Sequence, residues 1–218
     1  MPIPSTKVVV SLAMFNGKAY RLMPNAPGDF ADGVTGAPVR AWLSPIADLN
    51  GDSIADIVIG AGSDDDKALD AGRIVVHRGQ ATGGTTTTLT ADLNDIVIDG
   101  VNAGDLAGST VGWTTDLNGD GRAEILIGAP GMENGAVGDA GAAFVLWGRA
   151  NGGGIDLGDP FSGAGNGKGF AIKGVAQDDR AGTSILSIAD LNGDGKADLL
   201  VGAPGVKLGG GGGGGGGG

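Results

Sequence analysis

The chain has 218 residues, 47 of them glycine, and its 25 acids against 14 bases give a formal charge of −11. All the acids except Glu124 and Glu133 are aspartate, and Asp and Gly favour turns where Glu favours helix. That balance argues against a helical protein. No run approaches the ~18 apolar residues of a membrane span, the glycines lack collagen's spacing, and scattered bases leave no nucleic-acid footprint.

Taken in chain order, the first strand candidates are Val8–Gly17 and Lys18–Met23. An Asp/Asn/Gly loop opens at Asp48 and runs into the apolar stretch Ile57–Ile59, and Gly72–Gly79 forms the next strand. Asp64, Asp65 and Asp66, with Asp70, read as a solvated acidic loop, with a further cation site as the alternative, and Thr82–Thr90 as a polar surface loop, with an O-glycosylated tip as the alternative. Four short runs follow, at about 95–99, 109–115, 123–128 and 141–148, each bounded by Gly, Asp or Asn. Trp42, Trp113 and Trp147 fall in strand-like runs and are expected in packing between strands.

Composition also limits catalysis. There is no cysteine and His77 is the only histidine, so a histidine-rich zinc site cannot be built. His77 sits in a strand-like run with no nucleophile elbow near it. A paired-carboxylate hydrolase stays open, because aspartate is plentiful.

Aspartate is plentiful because it repeats. Residues 47–62, 115–130 and 189–204 align without gaps, with the first loop Asp at 48, 116 and 190. The likeness extends upstream, where Gly100 matches Gly174 and Asp105 matches Asp179. It also extends downstream, where Gly72–Gly79 matches Gly141–Gly148. Four short strands per unit read as a propeller blade. The expected fold is therefore all-β, with blades of four antiparallel strands.

The shared loop reads Asp-x-Asn-x-Asp-(Gly/Ser)-x-x-(Asp/Glu). Calcium takes six to eight oxygens, and side chains at positions 1, 3 and 5 of a tight loop converge on one point. A carbonyl at position 7 and a carboxylate at position 9 close the shell. The candidate ligands are Asp48, Asn50, Asp52, Ile54 and Asp56; Asp116, Asn118, Asp120, Arg122 and Glu124; and Asp190, Asn192, Asp194, Lys196 and Asp198. Position 12 is Ile59, Ile127 or Val201, which excludes an EF-hand or dockerin loop. Position 6 favours a left-handed backbone, so Ser53 makes the first loop the weakest of the three.

With these loops followed by Gly-Ala-Pro at 128–130 and 202–204, decaying to Gly60-Ala61-Gly62, residues 37–208 resemble FG-GAP repeats. Such repeats form the blades of the integrin α-subunit propeller and occur in many bacterial surface proteins. The Phe-Gly half is degenerate, standing as Ala107-Gly108 and Ala181-Gly182, which points to altered packing between blades. The resemblance implies structural calcium in each loop, with Ile54, Arg122 and Lys196 giving carbonyls, and a place outside the cell or on its surface.

The expected divisions are terminal strands at 1–36, repeats at 37–94, 95–168 and 169–208, and a glycine tail at 209–218. That tail reads as a linker or as stand-ins for unidentified residues. Three blades do not close a propeller. Three expectations follow: a fragment of a longer chain, an open three-blade array, or an array completed when an N-terminal strand joins a neighbouring chain and grows a filament. The function expected is non-enzymatic: a calcium-binding structural or adhesion protein that associates with itself or with surface proteins and glycans. The alternative is an accessory propeller of a larger secreted hydrolase.

Overall fold

A computed structural model describes residues 10–13, 19–22, 41–79, 96–150, 153–158 and 168–207. Side chains before residue 48, the threonine tract and the glycine tail lie outside the described residues. The described elements are strands: β1 (Val10–Ala13), β2 (Ala19–Leu22), β3 (Ala41–Ala47), β4 (Asp56–Ala61), β5 (Arg73–His77), β6 (Ile96–Asp99) and β7 (Thr110–Thr114). They continue as β8 (Glu124–Ala129), β9 (Ala142–Leu146), β10 (Gly153–Asp156), β11 (Gly169–Lys173), β12 (Ser184–Ile188) and β13 (Asp198–Gly202).

Two blade-like sheets are complete. Strands β3, β4, β5 and β6 pair antiparallel in chain order, and β7, β8, β9 and β11 do the same. Strands β12 and β13 form the start of a third, while β1 and β2 pair as a hairpin. The all-β expectation holds.

Sheets and sequence repeats are out of phase by one strand. The run at 95–99, which opens the second sequence unit, is β6, the outer strand of the first sheet. Likewise β11, which opens the third unit, closes the second sheet. The chain crosses to the next sheet only after its fourth strand, so a repeat counted from that strand straddles two sheets. The outer edge of the first sheet also carries an unexpected fifth strand. Strand β10 runs back from the second sheet and pairs parallel with β6. Ile155 and Leu157 are buried in the shared core, while Asp156 between them pairs with Lys67 at 3.0 Å.

Burial explains why the middle strands read as continuous apolar runs. Every residue of β8 and β9 is buried, because each face of the second sheet meets a neighbour. Alternate side chains enter different cores. Ile125, Ile127, Phe144 and Leu146 pack with Val58, Ile74, Val76 and Ile98 of the first sheet. Leu126, Ala143 and Val145 pack with Ile185 of the third. Trp147 joins that second cluster and meets Phe170 edge-on at 5.7 Å, as expected of a packing tryptophan.

The degenerate Phe-Gly positions lie at the sheet junctions. Ala107 and Ala181 are buried and bridge to Gly72 and Gly141. A Cβ on Gly72 would stand 2.2 Å from the Ala107 carbonyl oxygen, so the chains are already in contact and alanine suffices. The repeated aspartates have a structural use here. Asp105 accepts amide hydrogens from Val101 and Asn102 at 3.0 and 2.8 Å, and Asp179 does the same from Val175 and Ala176 at 3.1 and 2.8 Å.

Candidate metal centre

The three loops fold alike because their first seven residues bond to one another. In the second, Oδ1 of Asp116 accepts the amides of Gly119 and Asp120 at 2.6 and 3.1 Å. Its Oδ2 accepts that of Gly121 at 2.7 Å. Asn118 Oδ1 accepts from Asp120 and Asp120 Oδ1 from Arg122, at 2.8 and 2.9 Å, in consecutive Asx turns. Asp48, Asn50 and Asp52 make the matching set in the first loop, and Asp190, Asn192 and Asp194 in the third. A side-chain carbonyl has two lone pairs, so accepting one amide leaves the other for a cation.

Position 6 is left-handed in every copy: φ is 83° at Gly121, 85° at Gly195 and 65° at Ser53. The strain anticipated at Ser53 is present. A left-handed backbone costs a side-chain-bearing residue about 1–2 kcal/mol.

The loops differ at position 9. Asp56 and Asp198 each give one oxygen to a loop amide, Leu49 at 2.9 Å and Leu191 at 2.6 Å. The other oxygen receives the amide nitrogen of Asn50 at 3.4 Å or Asn192 at 3.3 Å. Glu124, one methylene longer, accepts Leu117 N through Oε2 at 3.2 Å but leaves Oε1 buried with no hydrogen-bond partner. Asp116, Asp120 and Glu124 each place an oxygen within 4.8 Å of the others, close enough to share one cation. Among the described residues this is the group of three carboxylates so arranged.

Electrostatics mark the same place. Glu124 is fully buried (0% exposed), and desolvation, then the charges of Asp116 and Asp120, push its carboxyl up to about 7. Burial raises Asp56 too, against the amides of Gly79 and Leu49 that lower it. The first aspartates of the second and third loops move the other way. The Gly121 amide holds Asp116 below its ordinary value and the Gly195 amide does so for Asp190. A buried acid with an idle oxygen beside two carboxylates fits a divalent cation, which would supply the missing partner and offset the repulsion.

Two side chains do what sequence reasoning did not foresee. Arg122 and Lys196, read only as carbonyl donors, reach into the preceding loop: Arg122 Nε donates to Asn50 O at 3.2 Å, and Lys196 Nζ to Leu117 O. A basic residue at position 7 of both loops was the available signal. The acidic run at 64–66 needs correction, since Asp64 is buried rather than solvated. Arg73 sits between Asp64, Asp66 and Asp99, 2.6 Å from the last, and its positive charge favours the buried Asp64. His77 is buried in β5.

A family model described as "FG-GAP repeat" matches residues 42–77, 107–146 and 181–217. The chain is 30% identical over 172 residues to a phosphatidylinositol-glycan-specific phospholipase D of Dictyostelium discoideum, covering 75% of this chain and 18% of that protein. It is 29% identical over 173 residues to the Bos taurus protein of that name, covering 78% and 19%. With the Rattus norvegicus protein it shares 26% identity over 201 residues, covering 90% and 22%. The chain thus spans about a fifth of the length of these relatives. Their name overturns the expectation of a protein without enzymatic character, because composition reports only on the residues in hand and these relatives are enzymes several times longer. The name says nothing of adhesion or filament growth. By the three matched repeats and the sheets they form, this chain belongs to the FG-GAP repeat family.

Proposed function

We propose that this chain is a calcium-braced propeller segment of a larger extracellular enzyme of the phosphatidylinositol-glycan-specific phospholipase D kind. The similarity to those phospholipases over 75–90% of the chain supports the enzyme part. The unpartnered Glu124 oxygen beside Asp116 and Asp120 supports the ion part, and it carries the argument. Near-millimolar calcium outside cells suits loops of this exposed kind.

In this reading the ion is structural. Asp116, Asn118, Asp120 and Glu124 hold it in the second loop, and the matching residues hold it in the other two. Bound calcium supplies positive charge that ties both ends of each loop to the strand that follows. The chain's own residues do the positioning. The Asx turns curl the loop, and Glu124, anchored by the Leu117 amide, presents a buried oxygen. Reaction chemistry is assigned to the part of the enzyme beyond these repeats, because this chain matches about a fifth of those enzymes and its clustered carboxylates serve the ion.

Two measurements test this. Thermal melting with calcium and with chelator should differ by several degrees, because a ligand of the native state must stabilise it. No shift would refute the ion reading. The complete protein should cleave a phosphatidylinositol-glycan substrate with phospholipase D specificity. Full-length protein without that activity would refute the enzyme reading and leave the ion reading standing.

A further inference from the structure

Arg122 and Lys196 occupy position 7 of their loops, yet each side chain leaves its own loop for the one before. Arg122 donates through Nε to the Asn50 carbonyl at 3.2 Å, and its Nη1 lies 3.4 Å from Oδ2 of Asp120. It therefore spans position 3 of the first loop and position 5 of the second. A backbone strut lies beside it, Ala123 N donating to Asp48 O at 3.2 Å. Lys196 repeats the reach one sheet further on, donating to the carbonyl of Leu117. The same device thus stands at both junctions, built from different side chains.

We propose that Arg122 and Lys196 are latches between blades through which cation binding in one loop raises the cation affinity of the loop before it. The proposal rests on the reading of these loops as calcium sites. A cation gripped by Asp116, Asp120 and Glu124 immobilises the segment that carries Arg122. Less freedom is then left to lose when the guanidinium holds Asn50. The Asp52 amide is shared by Asn50 Oδ1 and Asp48 Oδ1, so holding the Asn50 carbonyl prepares the first loop for its own ion. Lys196 does the same for the second loop through Leu117, whose amide anchors Glu124. The coupling is reciprocal, as binding free energies require.

Direct electrostatics oppose this, because a cationic side chain repels a divalent ion. The two effects have opposite signs in one experiment. At ~0.15 M salt, exposed charges are screened over about 8 Å, while a hydrogen-bonded latch persists.

The test is calorimetric titration of the full chain with calcium chloride at that salt, for wild type, Arg122→Gln, Arg122→Lys and Lys196→Gln. The expected result is an unchanged number of ions bound. The Gln variants should bind with a flatter curve and an overall affinity about 5-fold weaker or more, and Arg122→Lys should recover part of the loss. A merely structural role would lower the melting temperature of the chelated protein and leave the shape of the calcium curve alone. Unchanged or tighter binding in the Gln variants overturns the latch and leaves the sites standing. Wild-type protein that takes up no calcium overturns both. Should Arg122→Gln lose its cooperative melt, Lys196→Gln, at an exposed position, carries the comparison.

Discussion

The carbonyl oxygen of Gly182 lies 2.0 Å from the point that a Cβ on Gly128 would occupy. The glycine of the Gly-Ala-Pro signature is therefore where the next sheet comes closest, and backbone rather than side chain fills the space. Gly60 repeats this against the Gly108 carbonyl at 2.3 Å, while Gly202 would meet only the Ser184 hydroxyl, also at 2.3 Å. A hydroxyl rotates away; a carbonyl in a turn does not. Gly128→Ala is expected to cost about 1–3 kcal/mol and Gly202→Ala a small fraction of that. Thermal melting of the two variants checks this, and equal losses would count against it.

Leu126 and Leu200 hold matching places in β8 and β13, with opposite surroundings. Leu126 is 0% exposed between the second and third sheets, whereas Leu200 is 55% exposed and paired in register with Leu186, itself 57% exposed. Leu126→Ala should cost about 2–5 kcal/mol. Leu200→Ala should fall within about 0.5 kcal/mol of the parent. Urea unfolding of this chain reports both.

Ser53 occupies a left-handed position that its counterparts fill with glycine. Ser53→Gly removes strain worth about 1–2 kcal/mol, less about 0.4–1 kcal/mol for the freer unfolded chain. A small net rise in melting temperature is expected, together with tighter calcium binding at the first loop. A fall in melting temperature would contradict the strain.

Glu124 sets a pH dependence in chelator. Its carboxyl rises from 4.5 in the unfolded chain to about 7 in the folded one, so between those values the native state binds the proton more tightly. Stability from this group is greatest at the acid end and declines as pH rises through about 7. Ion-free protein should accordingly melt higher at about pH 5 than at about pH 8, and Glu124→Gln should flatten that slope. Calcium reverses the trend, because proton and cation compete for one carboxylate. A chelated protein whose melting rises steadily with pH across that window would refute the assignment.

Much of this was legible in one dimension. The loops are closed by hydrogen bonds within nine residues of chain, so Asp116 to Glu124 and its two counterparts carry their geometry locally. Short apolar runs bounded by glycine located β6 to β9 to within a residue or two. All three loops match the ligand pattern, yet among the described residues the carboxylates meet in the second. Glu124 is one methylene longer and leaves an oxygen idle where Asp198 is met by Asn192.

By itself the sequence determined the repeat, the left-handed turns and the ligand spacing, because each depends on residues near one another along the chain. Tertiary structure decided which sheet each strand joins, that Gly153–Asp156 straps the first sheet, and that Arg122 meets Asn50 across 72 positions. It also decided that Glu124 is buried, and burial is what lifts its carboxyl toward neutrality. Hydrogen bonding and desolvation between distant segments depend on how sheets stack, and no local pattern of residues encodes that.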